Sequence, residues 1–74
     1  MNERTFVNEI AKAKIFQSKN SNPDYWMGYE RGLQRQYYGR GFGTEAQHLK
    51  WLLGEGDPRQ RQRSKGYRDG LCVD

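Results

Sequence analysis

Arg59-Gln60-Arg61-Gln62-Arg63-Ser64-Lys65 places four cations in seven residues, with no acid between Pro58 and Arg68. Guanidinium groups match phosphate geometry and glutamines add donors for sugars and base edges, so Arg59, Arg61, Arg63 and Lys65 are candidate nucleic-acid contacts. The same run could dock on an acidic groove of another protein, or stand as a solvated face. A second grouping is Met27, Arg31, Arg35 and Tyr38, which follow i, i+4, i+8 and i+11 and so form one helical stripe opposite an apolar face. Arginine and tyrosine are enriched at interface hot spots and methionine adapts to uneven partners. With Trp51 further along, these four are candidate partner-binding residues, against the alternative of a solvated surface.

Covalent or acid-base catalysis needs a nucleophile, a base and an orienting group that converge. The chain has one histidine, His48, and one cysteine, Cys72, far apart and without a local motif. A zinc site wants at least three Cys or His ligands. The acids Glu30, Glu45, Glu55, Asp57 and Asp69 are scattered, and Glu45 and Asp57 are explained as helix starts. The expectation is a non-enzymatic protein with no catalytic residue, no metal ligand and no cofactor. Arg40-Gly41-Phe42-Gly43 matches the opening of the RNP1 signature, but Thr44-Glu45 stands where an aromatic and an aliphatic residue belong, and no alternating strands surround it, so an RRM is rejected.

The elements that must carry these residues are short. Seventy-four residues suffice for one small domain, residues 1–74, and exclude a two-domain enzyme. Leu, Ile, Val and Phe number only 12, a thin aliphatic core in a chain of which ten residues, the three Phe included, are aromatic. A net charge of only +4 argues against a wholly disordered chain. A lone cysteine gives no sign of an oxidising compartment, the N-terminus has no signal-peptide h-region, and no run nears the roughly 18 apolar residues of a spanning helix. A cytoplasmic location without membrane contact is expected.

Phe6, Ile10 and Ala13, flanked by Val7 and Phe16, predict a helix over 3–17, followed by a connector at Ser18 to Ser21. Asn22-Pro23-Asp24 is a cap, a proline at the first helical position and an acid in the first turn, which opens a second helix to Tyr38 with Tyr25, Trp26, Tyr29, Leu33 and Tyr37 as its core face. The glycines of residues 39–43 end it. Thr44 and Gln47 have capping-box spacing for a short third helix, with Ala46, Leu49, Leu52 and Leu53 as its apolar side and His48 off that side. Asp57-Pro58 opens a fourth helix to about Leu71. Only Tyr67 and Leu71 look able to fasten it, so residues 57–66 are expected to be a basic, mobile segment, frayed or projecting over Arg59 to Lys65. The architecture predicted is all-α, a small single-domain bundle of three to four helices.

Gly28-Tyr29-Glu30-Arg31-Gly32-Leu33 and Gly66-Tyr67-Arg68-Asp69-Gly70-Leu71 share one pattern. Each helical glycine costs about 1 kcal/mol against alanine, so a compensating close contact between helices is the preferred reading, over backbone exposed to a ligand.

The string GYERGLQRQYYGRGFGTEAQH with the downstream GYRDGL resembles short proteins encoded on bacterial phages, plasmids and integrative elements, over about residues 22–71. The pattern is loose and transfers no functional residues. It implies a setting in which small proteins bind and block host machinery, CRISPR surveillance complexes included, or bind the element's own nucleic acid. The leading expectation is therefore a binding protein of a phage or mobile element that blocks a host protein or nucleoprotein complex such as a CRISPR effector. The alternative is a direct DNA- or RNA-binding accessory protein using the arginine-rich segment. A homodimer through the first helix or the glycine strips is a third, structural possibility.

Overall fold

Side-chain caps set the helix boundaries. In a computed structural model that describes residues 1–19 and 22–74, Asn2 Oδ1 accepts the Thr5 amide at 2.8 Å and starts α1 (Glu3–Lys19). Asn22 accepts the Tyr25 amide, with Pro23 at the first position of α2 (Pro23–Tyr38). Gly39, at φ 78°, turns the chain out of α2 into a single 3₁₀ turn over Gly39–Gly41. Thr44 and Gln47 form the capping box of α3 (Glu45–Leu53) through two 3.1 Å hydrogen bonds. Asp57 accepts the Gln60 amide at 2.8 Å and opens α4 (Pro58–Leu71). The described residues contain four helices and no strand, the small all-α bundle that the periodicity predicts. The connector at Ser18 to Ser21 is shorter than predicted because α1 continues through Lys19; Asn20 and Ser21 lie outside the described residues. Among the described residues no helix is long and apolar enough to cross a membrane.

The central helix is α2. Its core face takes α1 through Phe6, whose ring stacks on Tyr37 at 4.1 Å between centroids, and through Phe16 against Trp26 at 4.6 Å. Leu33 and Ala13 are fully buried between them. Tyr29 is buried too, and its hydroxyl donates to Glu9 on α1. Aromatic contacts thus replace much of the aliphatic core that the composition lacks.

On another side, α2 packs against α4 backbone to backbone. A Cβ on Gly28 would fall 1.8 Å from the Arg63 carbonyl oxygen, and one on Gly32 would fall 2.2 Å from that of Tyr67. Reciprocally, Cβ atoms on Gly66 and Gly70 would meet the carbonyls of Tyr25 and Tyr29 at 1.9 and 2.3 Å. The pairings advance together, so α2 and α4 run parallel and the residues between them return the chain. Adding 38 to each number of one set gives the other, a local pseudo-two-fold relation between the two Gly-Tyr-x-x-Gly-Leu segments. In each glycine an α-hydrogen takes the Cβ direction and points at a carbonyl, the arrangement of a weak Cα–H···O contact. Gln36 closes the far end by donating to the carbonyls of Gly70 and Leu71 at 3.1 and 2.7 Å.

Three expectations are corrected by this packing. The Arg59 to Lys65 segment does not project: Ser64 is 0% exposed and Arg63 lies over Gly28, because glycine supplies the docking surface that apolar side chains would otherwise provide. The leucine face of α3 does not point inward, since Ala46, Leu49 and Leu53 are exposed, the last two by 53% and 66%. Instead His48 and Trp51 dock on buried Tyr67, with a hydrogen bond between His48 Nδ1 and the Tyr67 hydroxyl and a Trp51–Tyr67 centroid distance of 5.6 Å. A polar ring on α3 can satisfy that buried hydroxyl, which a leucine cannot. Finally, the glycine strips face each other within one chain and are spent there, leaving no such strip for a homodimer.

Candidate interaction groove

Met27, Glu30, Arg31 and Gln34 recur at i, i+3, i+4 and i+7 on α2, and α3 lays Trp51 beside them. Together they line an open groove of about 240 Å³. The Arg31 guanidinium carbon sits 5.2 Å from the Trp51 ring centroid and 5.3 Å from that of Phe42, so two rings flank it. Among the described residues Arg31 has no carboxylate partner. Glu30 turns its carboxylate toward α1, where it accepts from Gln17 at 2.7 Å. Met27 remains exposed at the groove edge. The wall is tied to the core, because Trp51 rests on Tyr67, whose hydroxyl burial pushes above the ordinary tyrosine range.

The candidate partner residues are thereby sorted. Met27, Arg31 and Trp51 share the groove. Tyr38 is exposed as expected but lies apart, in an aromatic group with Phe6, Tyr37 and Phe42. Arg35 is not on the exposed stripe: it is 7% exposed and donates to the Phe42 carbonyl at 3.1 Å and to Glu45 at 2.8 Å. Wheel geometry put it outside, but the glycine-rich turn and the start of α3 fold over it. Its hydrogen bond holds the Glu45 carboxyl below the ordinary range. Glu30 and Gln34 join the site unforeseen, though their spacing from Met27 was in plain view.

The basic segment divides as well. Arg59 and Arg63 donate to the two carboxylate oxygens of Asp24 at 3.1 and 3.0 Å, a bridge from the first two turns of α4 to the first turn of α2. Burial pushes the Asp24 carboxyl upward, but the hydrogen bonds from Arg59 and Arg63 outweigh it and leave it below the ordinary value. Arg61 and Lys65 are exposed, without an ion pair among the described residues, and Arg68 joins them. Spacing of i, i+4 and i+7 identifies that row.

Among the described residues no three His, Cys, Asp or Glu side chains cluster as metal ligands would. His48 is engaged with Tyr67, and Cys72 is exposed at the end of α4. The groove offers a ring-flanked cation, an apolar edge and an amide, a set suited to non-covalent recognition. Comparison with protein-family models, curated proteins and solved structures finds no match to this chain.

Proposed function

We propose that this chain is a non-enzymatic binding protein that engages a protein surface through the α2–α3 groove and blocks what that surface normally binds. The observation that carries the reading is Arg31 held between Trp51 and Phe42, without a carboxylate partner among the described residues, beside exposed Met27. A guanidinium fixed by two rings loses little rotamer freedom on binding and presents donors that no acid among the described residues satisfies. Trp, Arg and Met in one small concave site are the residue types that dominate interface energetics. The resemblance of residues 28–48 and 66–71 to short proteins of phages and mobile elements supplies the setting: a host protein or nucleoprotein complex, such as a CRISPR effector, as the target.

Affinity capture from a bacterial lysate, with and without nuclease, tests this directly. A partner retained after digestion supports recognition of protein. A partner lost on digestion, with none retained, refutes the groove reading and leaves nucleic acid as the bridge.

A further inference from the structure

We infer that the outward face of α4, carrying Arg61, Lys65 and Arg68, is a contact surface for the phosphate backbone of double-stranded nucleic acid. The inference stands apart from the groove. Three acids near the segment have assigned neighbours: Asp24 holds Arg59 and Arg63, Asp57 caps the helix, and Asp69 accepts from the Tyr25 hydroxyl at 2.6 Å. Among the described residues near α4, Glu55, just before the helix, and Asp74, after it, are left on the surface without such a partner. Besides Arg59, Gln62 and Asp69, which have partners of their own, α4 shows to solvent three cations that no acid among the described residues pairs with.

Those cations sit on a helix locked by its glycines against α2, so their spacing is fixed before any ligand arrives. At 1.5 Å per residue Arg61 and Lys65 are about 6 Å apart along the axis and Arg61 and Arg68 about 10.5 Å. A duplex carries a charge for about every 1.7 Å of its axis, so such a row meets several phosphates without distorting it. Single-strand binding would call for rings that stack on bases, and the one ring of α4, Tyr67, is buried against α3. The chemistry selects phosphates in a regular rigid array, which a duplex supplies.

Fluorescence anisotropy with mixed-sequence 20-base-pair DNA and RNA duplexes provides the test. Three neutralised phosphates give a log–log salt slope of about −2.7, so binding should weaken about twenty-fold between 50 and 150 mM salt. The variant R61Q/K65Q/R68Q should lose binding or flatten that slope, while R4Q/K14Q/K19Q, which removes the same charge from exposed positions of α1, should keep it. No duplex binding at 50 mM salt, binding confined to single strands, or equal losses in the two variants would each overturn the inference. Circular dichroism of both variants confirms that the helices are retained.

Discussion

The carbonyl oxygen of Tyr25 lies 1.9 Å from where a Cβ on Gly66 would stand. No real Cβ tolerates that distance, and the obstacle is backbone, so only a separation of α2 from α4 could accommodate one. Gly28, Gly32 and Gly70 meet carbonyls in the same way. Alanine at any of the four should lower stability by about 2 kcal/mol or more, despite the roughly 1 kcal/mol it gains in helix propensity. In a domain of this size that is a fall of about 10 °C in melting temperature. Gly41→Ala, with open space around it, should stay within about 0.5 kcal/mol of the parent. Equal melting temperatures for Gly66→Ala and the parent would contradict the packing described.

The contrast between legible and hidden features follows from what each depends on. Caps at Asn22, Thr44 and Asp57 depend on residues three apart, and the core face of α2 depends on one helical period, so both could be read directly. The paired Gly-Tyr-x-x-Gly-Leu segments were visible as a costly pattern in need of a close contact. Arg35 was misplaced because its burial depends on where Phe42 and Glu45 come to rest after the glycine turn. The leucines of α3 misled for a related reason: the hydroxyl of Tyr67, distant in sequence, selects His48 and Trp51 for the inward side. Asp24 gave no local sign of taking two arginines from α4, which is why all of Arg59 to Lys65 read as one free charged run.

Asp24→Asn should remove the bridge to Arg59 and Arg63 and destabilise by about 1 to 2 kcal/mol, most of it from the better-shielded Arg63. Because folding holds the Asp24 carboxyl below its ordinary value, this stability is present above the unfolded-state value near 4 and is lost as pH falls through the folded-state value. Chemical denaturation of parent and variant at pH 7 and at successively lower pH should show the gap closing below about pH 4. A gap that is constant down to pH 2 would be inconsistent with the bridge.

Arg35 should behave as a structural residue. Arg35→Gln is expected to lower the melting temperature by several degrees, by loosening α3 and residue 42, and Glu45→Gln by less, since the Glu45 side chain is largely in solvent. Thermal melts of the two variants decide the order. An Arg35→Gln melt identical to the parent's would restore Arg35 to the exposed surface.

Alkaline pH should unfold the protein through its tyrosines. Burial, assisted by Asp69, pushes Tyr25 up to about 12, and burial with Glu9 beside it pushes Tyr29 higher still. The folded values stand above the unfolded value near 10, so stability is complete below pH 10 and falls as pH rises beyond it. Melting temperature against pH should turn downward near 10, less steeply in Tyr25→Phe/Tyr29→Phe. A flat profile to pH 12 would refute the assignment.

The groove itself is tested most directly through Met27, which lines it and is exposed. Met27→Glu should leave the circular dichroism spectrum and melting temperature close to the parent's. Capture after nuclease digestion, quantified for parent and variant side by side, is the deciding measurement. A carboxylate set into an interface hot spot costs 2 kcal/mol or more, about a thirty-fold loss of affinity, so the retained partner should disappear from the Met27→Glu capture. Equal capture of that partner by a normally folded Met27→Glu would contradict the groove as the binding site.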